Sequence, residues 1–136
     1  MNPREAAKPK TIRRILVVDD DSSICRILQI GLVKAGYEVD EARDGDVAMR
    51  LWRESGADLL IADIHMPGKS GLELIKELRA LDSSIPVIAM TDGGRSQNFN
   101  PLSYSELLGA VRTIAKPFTL EAMVAIVKQE LDRPSR

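Results

Sequence analysis

At 136 residues the chain is shorter than the roughly 150 that serves as a prior for one domain, and 44% hydrophobic with 29% charged residues excludes wholesale disorder. Nineteen Lys and Arg against 20 Asp and Glu leave a net charge of -1, which removes the electrostatic case for bulk nucleic-acid binding. One cysteine, Cys25, excludes an internal disulfide, and one His beside it excludes a tetrahedral zinc site of nitrogen and sulfur ligands, so any metal here is held by oxygen.

Residues 1–11, with Pro3, Pro9 and the basic Arg4, Lys8 and Lys10, read as a flexible tail; no apolar h-region follows that would make a signal peptide. The first apolar run is Ile15 to Val18. A helix starting near Ser22 then places Ile24, Ile27, Leu28, Gly31, Leu32 and Ala35 on one face, with Gly36 as its stop. Tyr37 to Ala42 alternates as a half-buried strand, and Asp44-Gly45 turns into a helix with Val47, Ala48, Leu51 and Trp52 inward, closed at Gly56. Leu59 to Ala62 is apolar throughout, as a strand covered on both faces requires. Ser70 and Glu73 have capping-box spacing ahead of Leu74, Ile75, Leu78 and Leu81. Pro86 to Met90 and Val111 to Ala115 are the fourth and fifth strands. Gly93 to Leu108 reads as a long loop plus one short helix around Ser103 to Leu108, and a closing helix from about Thr119 buries Met123, Val124, Val127 and Leu131. Residues 12–132 form the expected domain and 133–136 a C-terminal tail. Five strands alternating with helices predict an α/β fold, a doubly wound parallel sheet with right-handed crossovers and helices on both faces. No run reaches the roughly 18 apolar residues of a membrane span.

The chemistry stands where the strands end. Ile15 to Val18 runs into Asp19-Asp20-Asp21, Leu59 to Ala62 into Asp63, Pro86 to Met90 into Thr91, and Val111 to Ala115 into Lys116. Ligands of open parallel sheets bind beyond the carboxyl ends of the strands, so a carboxylate cluster, a carboxylate, a hydroxyl and an ammonium converge there. Carboxylates about 5 Å apart repel by roughly 3 kcal/mol per pair at an effective dielectric near 20, so the cluster needs a cation. All-oxygen ligands with open positions suit Mg²⁺, with Mn²⁺ as an alternative. A hydroxyl and a lysine opposite it supply donors for phosphoryl oxygens. The composite is a phosphoryl-transfer site with a carboxylate nucleophile.

Val17-Val-Asp-Asp20, Ile61-Ala-Asp63-Ile-His-Met-Pro67, Ile88-Ala-Met-Thr91 and Lys116-Pro-Phe118, with Gly71-Leu-Glu-Leu74 and Gly109-Ala110, resemble the receiver domain of response regulators in two-component signalling. The resemblance covers Arg13 to Leu131. It implies a flavodoxin-like sheet of strand order 2-1-3-4-5. It also implies a CheY-like phosphoacceptor, cytoplasmic and without an output domain in this chain. Asp63 would take a phosphoryl group from a histidine kinase or histidine phosphotransfer protein; Asp19, Asp20, Asp63 and the backbone carbonyl of His65 would hold Mg²⁺. Thr91 and Lys116 would bind the phosphoryl group, the Lys116-Pro117 bond would be cis, and the switched surface would meet a downstream protein, with no direct DNA binding and no membrane insertion. Such a chain is not an enzyme beyond its own phosphorylation and dephosphorylation.

Three features depart from the pattern: Asp92 follows Thr91 where a small residue is usual, Thr113 replaces a customary aromatic at the switch position, and the stretch from Thr91 to Lys116 is long. They bear on switching, not on the phosphoacceptor. Asp92-Gly93-Gly94 is good turn chemistry, so an outward-pointing Asp92 is the expectation. Two alternatives remain at this level: a degenerate receiver that binds partners without phosphorylation, and a haloacid-dehalogenase-like phosphatase with Asp19 as nucleophile and Asp21 two residues on.

Overall fold

The computed structural model describes residues 12–66, 68–92 and 111–133. The expected N-terminal tail, the loop and short helix between Gly93 and Leu108, Gly109-Ala110, Pro67 and the last three residues lie outside the described residues.

Five strands form one parallel sheet: β1 (Arg14–Val18), β2 (Glu38–Ala42), β3 (Leu59–Asp63), β4 (Val87–Thr91) and β5 (Arg112–Ala115), in the order β2-β1-β3-β4-β5. Between them run α1 (Ser22–Lys34), α2 (Gly45–Ser55) and α3 (Gly71–Leu81), and α4 (Leu120–Asp132) follows β5. Because side chains alternate across a strand, the sheet carries two cores. On one face Leu16, Val18, Leu60, Ala62, Val87 and Ala89 pack against Ala48, Met49 and Trp52 of α2 and Leu74, Ile75 and Leu78 of α3. On the other, Ile15, Val17, Leu59, Ile61, Ile88 and Met90 meet Cys25, Leu28 and Leu32 of α1 and Met123, Val127 and Leu131 of α4. β3 and β4, covered on both faces, are buried at every position.

Each helix begins where local chemistry dictates. Asp21 caps α1 by accepting from Ser23 N and Ile24 N, Asp44 caps α2 through Val47 N, and Thr119 caps α4 through Ala122 N. Ser70 and Glu73 form the expected capping box at α3. α1 stops as the chain reaches Gly36 at φ 105°, a left-handed conformation that favours glycine.

Three inward assignments fail. Ile27 is 55% exposed, Ala35 lies at the surface, and Leu81 ends α3 at 46% exposure. The sheet-facing stripe of α1 is the line Cys25, Leu28, Gly31, Leu32, and Ile27 sits about 100° around the helix from Leu28. Apolar character on that flank therefore faces solvent.

Candidate functional site

Register builds the site. Val18 of β1 aligns with Ala62 of β3, so the next residues, Asp19 and Asp63, emerge side by side at the carboxyl edge. Asp63 is level with Met90, and Thr91 with Ala115. Backbone bonds extend the ladder past the strand ends: Asp19 N donates to Ala42 O at 3.1 Å, Ile64 N to Met90 O at 3.1 Å, and Lys116 N to Thr91 O at 2.8 Å. Asp19, Asp63 and Thr91 are all buried, whereas Asp20 is exposed. Gly71, the first residue of α3, packs so closely under this edge that a Cβ there would lie 2.1 Å from the Asp63 carbonyl oxygen.

Lys116 draws the cluster together. Its Nζ donates to Asp19 Oδ2 at 2.8 Å and to Asp63 Oδ2 at 3.0 Å. The other Asp63 oxygen, Oδ1, accepts from His65 N at 2.9 Å, and Asp19 Oδ1 accepts from Asp21 N at 2.9 Å. Burial pushes the Asp63 carboxyl above its ordinary value, and the Asp19 charge adds to this, against the His65 N–H and Lys116. For Lys116, burial favours the neutral amine, but its hydrogen bonds to Asp19 and Asp63 outweigh that and leave the ammonium raised. The phosphoacceptor candidate is thus a carboxylate under electrostatic pressure that a cation relieves.

One carboxylate oxygen from each of Asp19, Asp20 and Asp63 comes within 4.8 Å of the others. The donors are all oxygen, two are buried, and Asp20 opens to solvent, so the set fits a hard divalent cation that retains waters. The expected neighbours are placed as follows. Thr91 ends β4 at the crevice, and Thr113 lies exposed in β5. The Lys116-Pro117 bond is cis. Asp21 is spent on capping α1, which leaves the phosphatase reading without its second carboxylate in the crevice.

Sequence reasoning missed three contacts here. The His65 backbone N–H holds Asp63, the His65 ring faces Asp92 at 3.6 Å, and Gly71 is a contact surface for Asp63. Only Gly71 had a signal, a glycine at the first helical position behind a capping serine. Burial, then the Asp19 charge, pushes the Cys25 thiol up to about 11, away from the thiolate that reacts.

No helix among the described residues is long and apolar enough to cross a membrane. The family profile described as the response regulator receiver domain matches residues 15–128. The transcriptional regulatory protein PrrA of Mycobacterium tuberculosis is 39% identical over 123 residues, 90% of this chain and 52% of that protein. The chain spans about half the length of the curated relatives it matches. Among solved structures, a response regulator from Chloroflexus aurantiacus superposes with a TM-score of 0.78 at 33% identity, covering 90% of this chain and all of the other. The response regulator TrrA of Thermotoga maritima, solved in complex with Mg²⁺-BeF, gives 0.73 at 34% identity over 87% of this chain and 98% of its own. A match across the whole sheet, with the acidic residues at its carboxyl edge, establishes that this chain belongs to the receiver domains of two-component response regulators.

Proposed function

We propose that residues 12–132 act in the cytoplasm as the phosphoacceptor of a two-component relay, with Asp63 as the residue modified. The observation that carries this is Lys116 held by two buried carboxylates, Asp19 and Asp63, at the end of the sheet. An Asp63 oxygen attacks the phosphorus of a partner's phosphohistidine; a P–O bond forms as the P–N bond breaks, and the imidazole leaves with the electron pair. The His65 N–H fixes the rotamer of Asp63. Lys116 turns its ammonium from the carboxylate to the arriving phosphoryl oxygens, and the Thr91 hydroxyl donates to them. Mg²⁺, or Mn²⁺, would be held by Asp19, Asp20, Asp63 and the His65 carbonyl, and supplies positive charge against the phosphoryl group. Movement of Thr91 and its loop then alters the surface offered to a downstream protein.

The test is incubation with Mg²⁺ and a small phosphodonor, followed by trapping and mapping of the modified residue. Label on Asp63, absent from Asp63→Asn, is expected; label on Asp19 would refute the assignment.

The phosphodonor protein has a surface beside the crevice. Ile27 and Ile30 of α1 stand more than half exposed and Val33 nearly so. A cavity of about 360 Å³ lies between Ile24, Ile27, Leu28, Phe118 and Leu120, and Lys116 lines it as well. Exposed apolar patches of this kind mark protein contacts, and this one reaches Lys116 of the site. Ile27→Lys should therefore cut labelling by a histidine kinase that modifies the parent chain by about ten-fold or more, as loss of an interface anchor does. Labelling by a small donor should be unchanged; an equal fall in both would place Ile27 in the fold instead of the interface.

A further inference from the structure

A group of charges around the loop that follows β3 has no part in that reading. Lys69 lies in this loop, directly before Ser70, the cap of α3. Its side chain is 23% exposed, and its stem runs against the start of α2: a Cβ added to Gly45 would lie 2.6 Å from Lys69 Cδ and 2.8 Å from its Cγ. The ammonium is shared between two helices, facing Asp46 of α2 at 3.5 Å and donating a hydrogen bond to Glu77 of α3. Glu77 in turn faces Arg53 of α2 at 3.8 Å. Ion pairs this open to solvent add little to stability. What they add is direction, since one loop residue is held against two helices at once.

The other end of the same loop belongs to the site. Asp63 Oδ1 accepts from His65 N, Ile64 N donates to Met90 O, and Gly71 seats the first turn of α3 on the Asp63 carbonyl. A shift of the chain at Lys69 therefore passes, through a few residues of backbone and through Gly71, to Asp63 and to the His65 carbonyl. Cation sites depend on such support, because a ligand left free to turn must be ordered when the ion binds. We propose that Lys69 is a positioning residue: by tying the loop after β3 to α2 and α3 it holds the Asp63 carboxylate and the His65 carbonyl in place, and so raises the affinity of the crevice for Mg²⁺. The proposal rests on the cation set given under the proposed function. Its sign is opposite to that of charge alone. An ammonium near the crevice repels a cation, so by electrostatics its removal would tighten Mg²⁺ binding, whereas loss of positioning weakens it.

Calorimetric titration with Mg²⁺ tests this in the parent chain, Lys69→Met, Lys69→Arg and the Lys69→Met/Glu77→Gln double variant. Methionine keeps most of the stem that packs on Gly45 and removes the ammonium. Lys69→Met should raise the Mg²⁺ dissociation constant about five-fold, less than the roughly 10–100-fold typical when a direct partner of a metal ligand is lost. Lys69→Arg, which keeps a cation within reach of both carboxylates, should recover most of that loss. Because Lys69 acts through Glu77, the double variant should bind Mg²⁺ no more weakly than Lys69→Met. In labelling by phosphoramidate, the Mg²⁺ concentration for half-maximal rate should move with the dissociation constant while the rate at saturating Mg²⁺ holds. A Lys69→Met dissociation constant equal to or below the parent's would overturn the proposal, and so would a loss that Lys69→Arg leaves untouched. A parent chain that binds no Mg²⁺ would instead overturn the cation set itself, so the two failures are distinct.

Discussion

Gly71→Ala is expected to destabilise the protein by about 3 kcal/mol or more, lowering the unfolding midpoint by roughly 10 °C. The added methyl would lie 2.1 Å from the Asp63 carbonyl oxygen, 2.6 Å from the Ile64 Cα and 2.7 Å from the Asp63 carbonyl carbon. All three are backbone atoms, so no rotamer change relieves the clash. Helix propensity pulls the other way, since alanine is favoured over glycine by up to about 1 kcal/mol inside a helix. The steric term wins because α3 can admit the methyl only by lifting off β3. Lifting it also moves Asp63, so labelling should fall along with stability. Thermal unfolding decides between the two effects, and a midpoint at or above that of the parent would show that α3 is free to shift.

The second large effect is expected from Lys116→Met. Removing the shared cation leaves Asp19, whose side chain has no exposed surface, facing Asp63, which is 7% exposed. Deleting one partner of a buried ion pair costs about 3–5 kcal/mol, and about 2–3 is expected here because Lys116 itself keeps 24% of its side chain in solvent. The loss carries a pH signature. Folding already raises the Asp63 carboxyl from its ordinary 3.8, and Lys116 is one of the groups holding it down. A carboxyl raised by folding favours the folded state at low pH, and that advantage disappears as pH climbs through its folded value. Without Lys116 the carboxyl rises further, so the deficit of the variant should be largest at pH 7 and should narrow towards pH 4. Asp63→Asn added to Lys116→Met should return part of the stability at pH 7. Denaturant titrations at the two pH values check this, and a deficit of equal size at both would mean that Lys116 contributes packing alone.

The parts of the molecule legible in the sequence are those set by local chemistry. Leu59 to Ala62 and Pro86 to Met90 had no polar residue to place outward, and both proved buried strands to within one residue. Asp44, Ser70 and Thr119 announced helix starts because a capping side chain acts within three residues of itself. The strand-end residues Asp19, Asp63, Thr91 and Lys116 could be nominated from position alone, since a parallel sheet brings all carboxyl ends to one edge. What stayed hidden depends on azimuth and on distance through space. The exposure of Ile27 turns on which flank of α1 the sheet leaves bare. The facing of His65 and Asp92 joins two loops 27 residues apart, and nothing local to either loop specifies the other. The burial of Glu130 is of the same kind: Arg133 stands just past the end of its own helix, but Arg112 reaches it from β5.

The separation between Lys116 and its two carboxylates, 97 residues to Asp19 and 53 to Asp63, has a kinetic consequence. During synthesis at roughly 5–20 residues per second, the acidic residues leave the ribosome several seconds before their counter-ion exists. The β1–β3 pair sets the two carboxylates side by side, but the charge that offsets them follows β5, the last strand of the sheet. Under the proposed function, a nascent chain lacking β5 holds Asp63 without the ammonium that would meet the phosphoryl oxygens. On that reading the crevice is complete only once the fifth strand has been made and paired with β4.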